Sequence, residues 1–108
     1  MHYDLLIITD EIIPANLLSN INYCIKNNEV KLISPYETNS HITFDYLIFS
    51  NPSSIEKIDL LKEDSYIVTN LFFQTSIDHM FAIGSCNKSQ KAIQEQWEII
   101  LNFIKFGE

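Results

Sequence analysis

Glycine is nearly absent from this chain: Gly84 and Gly107 are the only two in 108 residues. A G-x-G-x-x-G phosphate loop is therefore excluded, because that motif needs glycine for its tight turn, its close approach to pyrophosphate and its helix packing. Cysteine is as scarce. Cys24 and Cys86 stand too far apart for a redox C-x-x-C or a zinc knuckle, and a reduced pair is expected. Long apolar runs are missing too. A stretch such as residues 5–8 is far too short to span a bilayer, and Met1-His2-Tyr3-Asp4 lacks the basic region of a secretory signal, so a cytoplasmic protein without a membrane partner is expected. Positive charge is in deficit, with seven Lys and Arg against fourteen Asp and Glu, a net charge of −7. Nucleic acid is not an expected partner, since its phosphates would be repelled rather than neutralised. His2, His41 and His79 fall at no metal-ligand spacing with each other or with the cysteines, so no metal site is expected.

What is present is a core. A hydrophobic content of 46% and an aromatic content of 12% support a single packed domain over residues 1–108. Residues 3–9, YDLLIIT, form a continuous apolar run of strand length, as a parallel strand covered on both faces requires. Pro14 suits a first helical turn, Leu17, Leu18, Ile21, Cys24 and Ile25 recur at helical spacing, and Asn27-Asn28 reads as a left-handed stop. Residues 29–34 supply a second strand and close a β-α-β unit with a right-handed crossover. Residues 42–50 make a third strand. Ser53-Ser54-Ile55-Glu56 reads as a capping box for a helix to about residue 62, and residues 66–69 and 71–73 read as short strands.

Residues 80–83 form a further strand that leads through Gly84-Ser85 into a closing helix over 89–106. Strand, glycine, small polar residue, helix is the plan of a phosphate-facing junction. The closing helix places Lys91, Gln94, Glu95, Glu98, Asn102 and Lys105 on one polar face about 100° wide. Its apolar arc spans about 220°, wider than one sheet requires. The excess predicts a second copy of the chain or another protein against Trp97, Ile99, Phe103 and Phe106; burial under the 54–62 helix is the alternative.

Several of these segments share a pattern with one family. Tyr66-Ile67-Val68-Thr69, Gln74-Thr75-Ser76 and Phe81-Ala82-Ile83-Gly84 resemble the closing "YIVT…QTSVPGVFAAGD" segment of FAD-dependent, thioredoxin-reductase-like pyridine nucleotide-disulfide oxidoreductases. Tyr3-Asp4-Leu5-Leu6-Ile7-Ile8 and Pro14-Ala15-Asn16-Leu17 resemble that family's first unit, and residues 42–50 its "FDYLILATGS" strand. The resemblance spans residues 3–34 and 42–104 and implies a three-layer α/β, Rossmann-like domain of the FAD/NAD(P)-binding type with a mostly parallel sheet. It also implies vestigial cofactor-binding positions at Gly84, Ser85, Cys86, Thr9 and Ser34, with Ser85 and Ser34 standing where the family has acids.

The departures from the family shape the functional expectation. Thr9, Asp10, Glu11 and Asn16 occupy the glycine loop, and a carboxylate about 5 Å from a pyrophosphate adds repulsion of about 3 kcal/mol at an effective dielectric of about 20. Asp10 or Glu11 is expected to cap the former anion site at a following helix terminus, or both are solvated loop residues. The second dinucleotide domain and the C-x-x-C pair are missing, so no catalytic residue is assigned and no disulfide-reductase activity is expected of the chain alone. Cys86, at a helix start, would act as a redox sensor only with a lowered pKa. The expectation is a degenerate, homodimeric or partner-binding module without cofactor. The alternatives are a small flavin- or nucleotide-binding protein, with FAD foremost, or a subunit of a redox enzyme completed by a partner chain.

Overall fold

Two apolar runs occupy the middle of the sheet. In the computed structural model, which describes residues 1–27 and 29–106, β1 (His2–Ile8) and β5 (Thr43–Phe49) pair in parallel, with Leu6 opposite Leu47 and Ile7 opposite Ile48. Their inner residues are fully buried, as continuous Leu/Ile/Phe runs covered on both faces should be. β2 (Tyr23–Lys26) pairs in parallel with the other edge of β1. β3 (Leu32–Ser34) and β4 (Glu37–Thr38) form an antiparallel pair, and β4 meets the first residue of β5 through Glu37 and Thr43. Further along that same edge, β8 (Met80–Ala82) lies parallel to β5. A separate antiparallel hairpin joins β6 (Lys62–Glu63) to β7 (Tyr66–Ile67). The described chain closes with α1 (Ile93–Phe106).

This architecture overturns the three-layer, Rossmann-like expectation with its mostly parallel sheet. Among the described residues, three strand pairings are parallel and three antiparallel, and an isolated antiparallel bridge joins Gln74 to Phe81. The molecule is a small mixed-sheet domain of eight strands and one α-helix among the described residues. That helix covers one face: Trp97, Ile100 and Leu101 pack on Leu5, Ile7, Ile48 and Phe81. On the opposite face Leu6, Leu47, Phe49 and Met80 are covered without an α-helix, by Ile55, Ile58, Leu60 and Ile67.

Local chemistry explains the differences. The helix expected from Pro14 onward shrinks to a 3-10 turn, Ala15–Leu18, and the chain then breaks at Asn20, whose φ is 67°. Beyond it, Tyr23-Cys24-Ile25 has the aromatic and β-branched character of a strand, and β1 offers a free edge to receive it. β2 thus takes the place beside β1 that the sequence assigned to residues 29–34. The expected stop at Asn28 lies outside the described residues. Only Pro35 and Tyr36 separate β3 from β4, a connection that permits a hairpin and no parallel crossover. The capping box at Ser53 is likewise replaced: Asn51 caps a 3-10 turn, Pro52–Ile55, by accepting from the Ser53 N–H at 2.9 Å. Residues 71–73 form a turn instead of a strand, because the Asn70 side chain accepts from the backbone N–H groups of Phe72 and Gln74.

Candidate functional site

The carboxyl ends of β1, β5 and β8 lie side by side, where ligands of open parallel sheets usually bind. Thr9 follows β1 and Ser50 follows β5; their buried hydroxyls share a 2.7 Å hydrogen bond. Thr9 Oγ1 also accepts from the Glu11 N–H at 3.1 Å. β8 runs through Ile83 into a 3-10 turn, Gly84–Cys86, entered with a φ of +79° at Gly84. That backbone angle accounts for glycine here, since a Cβ would be strained in the left-handed region.

An open recess of about 630 Å³ lies against this turn, lined by Gly84, Ser85, Asn87, Lys88, Lys91 and Gln96 among others, and the chain's own polar groups engage the backbone that faces it. The Gly84 N–H donates to Gln96 Oε1 at 2.9 Å. Asn87 Nδ2 donates to the same oxygen at 3.2 Å and to the Ala82 carbonyl at 2.8 Å, while Gln96 Nε2 donates to the Lys91 carbonyl at 2.9 Å. Gln96 and Asn87 are both buried. A Cβ built on Gly84 would lie 3.7 Å from a carboxylate oxygen of Glu11 and 3.5 Å from Ile93 Cδ1. Glu11 is exposed and its carboxylate comes near this turn, but not at the helix terminus that the sequence suggested it would cap. No α-helix follows it, the turn at Ala15–Leu18 has no side-chain cap, and the backbone the carboxylate approaches belongs to β8's exit.

Cys86 is a buried, free thiol. Burial pushes its thiol from 9.0 up to about 12, outweighing the lowering effect of backbone hydrogen bonds at Cys86 and Ile83; the Glu11 carboxylate adds a smaller rise. Sγ donates to the Ile83 carbonyl at 3.3 Å. A thiol held protonated and out of solvent lacks the thiolate character a redox sensor needs.

Of the five sequence-derived positions, Thr9, Gly84, Ser85 and Cys86 follow strands that end together. Ser34 does not join them. It pairs with Glu37, beside the amino-terminal end of β5, and accepts from the Tyr36 N–H. Gln96 and Asn87 escaped sequence reasoning as parts of this site. Gln96 carried one signal: it stands four residues before Ile100 and seven before Phe103, a polar side chain on an apolar helix face.

Beside the turn, a groove of about 320 Å³ runs between residues 66–71 and residues 88–91. Its floor includes Ile67 and Phe73, and its lysines are already engaged. Lys88 Nζ lies 2.8 Å from Asp64 and 3.4 Å from Glu63, and Lys91 Nζ lies 3.3 Å from Glu95. Asp64 holds the Lys88 ammonium above its ordinary pKa. Both cations face carboxylates, so the groove offers an anion no uncompensated positive charge. Among the described residues no group of three or more His, Cys, Asp or Glu side chains is arranged to hold a metal ion. No helix of the described chain is long and apolar enough to cross a membrane. No protein-family model matches the chain, and no curated protein matches it.

Proposed function

We propose that this chain is a partner-binding module without nucleotide, flavin or disulfide chemistry of its own. One observation carries the reading: the only described glycine turn at the sheet's carboxyl edge already donates its N–H to Gln96, with an exposed Glu11 carboxylate nearby. A phosphate accepting from that N–H would displace the buried Gln96 amide oxygen from it and come near a carboxylate. Such a loss costs about 1 kcal/mol before repulsion is counted. The thioredoxin-reductase-like pattern of residues 66–84 is, on this reading, a likeness of sequence without the corresponding chemistry. Two free thiols, Cys24 and Cys86, accord with a reducing, cytoplasmic setting.

A partner would use the outer side of α1. Trp97 is spent inside, buried against the sheet, but Phe106 is exposed and Ile99 and Phe103 are half-covered. The partner is a second copy or another polypeptide; sedimentation at micromolar concentration separates these. The cofactor side is tested by an absorbance spectrum from 300 to 500 nm of protein purified without added cofactor, then thermal shift with FAD, FMN, NAD and NADP. No flavin absorbance and no shift is the expected result. Stabilisation that saturates with any one of the four would overturn the reading.

A further inference from the structure

The end of the sheet opposite the Gly84 turn carries a recess walled by flat rings. Tyr36 stacks on His79 with centroids 4.1 Å apart and planes within 6°. His79 is itself fixed, because Nε2 donates to the Pro35 carbonyl at 2.6 Å. Tyr46 and Phe103 complete the aromatic lining, and each is held against Phe81, with Phe103 also 5.0 Å from Phe72. Asp45 and Asp78 are the acidic residues that line this recess of about 480 Å³. Asp45 touches His2 Nε2 at 3.1 Å, and no ion pair among the described residues engages Asp78. A second recess, about 520 Å³, shares Asp45 and Tyr46 with the first and continues past Asp4 to Lys105 and Phe106, in the last turn of α1.

We propose that these joined recesses bind a basic segment of another polypeptide, with an arginine or lysine side chain in each; the inference rests on the partner-binding reading above. Charge decides the occupant. Ring faces attract cations through their quadrupole, most strongly where carboxylates and restricted solvent add to the effect. Guanidinium can stack on Tyr36 or Tyr46 while hydrogen-bonding Asp45 or Asp78. A second copy fits poorly, since two chains of net charge −7 would bring Asp4, Asp45 and Asp78 face to face. An apolar helix would bury those carboxylates unpaired. A single small cation would fill one recess and leave the other to water.

The test is NMR titration of the full chain with a blocked pentapeptide carrying arginine at alternate positions and glycine between them. Saturable shifts confined to the amides around Tyr36, Asp45, Tyr46, His79 and Phe103 are expected. Asp45→Asn combined with Asp78→Asn should weaken binding about tenfold, and Tyr36→Leu about threefold. Glu56→Gln with Asp59→Asn makes the same charge change at exposed positions elsewhere and should weaken it less than twofold. Equal losses in the two double variants would reduce the effect to net charge and overturn the proposal. So would shifts scattered over the surface, arginine amide binding as tightly as the peptide, or a dimer that protects these amides. None of those outcomes bears on nucleotide binding, which the thermal-shift series decides separately.

Discussion

At the residue scale, Gln96 is the joint between helix and sheet. Its amide holds the Gly84 N–H, shares its oxygen with Asn87 and donates to the Lys91 carbonyl, with the Gln96 and Asn87 side chains themselves buried. Gln96→Leu keeps roughly the side chain's volume but leaves a buried donor and a carbonyl unpaired. A loss of about 2–3 kcal/mol is expected in urea unfolding, with the slope unchanged; a change under 0.5 kcal/mol would mean the network contributes little. Cys86 gives a second test. Its folded pKa, near 12, lies above the reference value of 9.0, so the native state retains a proton that the unfolded state releases. Its contribution is fully present below about pH 9 and is lost as pH rises toward 12, on the order of a few kcal/mol. Cys86→Ala should flatten that part of the stability profile relative to wild type, and native Cys86 should resist alkylation until the protein unfolds. Little of this was legible in the sequence. The small residues at strand ends marked where Thr9 and Gly84 would gather, because strand ends are set by local runs. What fills the space between them depends on which helix face turns inward, and that is a tertiary fact.

At the element scale, the runs that were read correctly are those whose burial is unconditional. β1 and β5 each end in an uninterrupted apolar run, residues 5–8 and 46–49, and β8 is apolar throughout; no surface position could accept these runs, and the sequence located all three strands within two residues. α1 begins at Ile93 instead of residue 89, because Asn87 and Ser89 spend their side chains accepting from Ser89 and Lys91 N–H groups. β2 was misread because Leu17, Leu18, Ile21, Cys24 and Ile25 satisfy a helical spacing while Tyr23-Cys24-Ile25 suits a strand equally well; the open edge of β1 settles the choice. The β6–β7 hairpin offers the prediction that belongs here. Asp64 and Ser65 both have positive φ, 52° and 71°, the requirement of a type I′ turn, yet neither is glycine. Asp64 has another task in holding Lys88 at 2.8 Å, whereas no side-chain hydrogen bond of Ser65 is present among the described residues. Ser65→Gly should therefore stabilise the protein by about 1 kcal/mol through relief of left-handed strain. A thermal midpoint that falls instead would show that the added freedom of the unfolded chain outweighs that relief.

At the scale of the molecule, charge opposes compactness. Fourteen acids against seven bases leave −7 on a body whose extents are 34 × 30 × 26 Å. The ion pairs among the described residues lie at least partly in solvent, two of them depend on a protonated histidine, and such pairs contribute about 0–1 kcal/mol each. Screening length decides which effect dominates the salt response. At 0.01 M the Debye length is about 30 Å, so every acid repels every other across the whole fold; at 0.15 M it falls to about 8 Å, and only near neighbours interact. Added salt thus removes many long-range repulsions but only weakens a few short attractions, which persist within the screening length. Raising sodium chloride from 0.01 to 0.15 M at pH 7.5 should raise the melting temperature by several degrees, equivalent to about 1 kcal/mol for a domain of this size. A midpoint that falls with salt would show that the Lys88 and Lys91 pairs outweigh the net charge. Chloride is the right anion for the test, because sulfate would strengthen apolar burial by itself and raise the midpoint for a reason unrelated to charge.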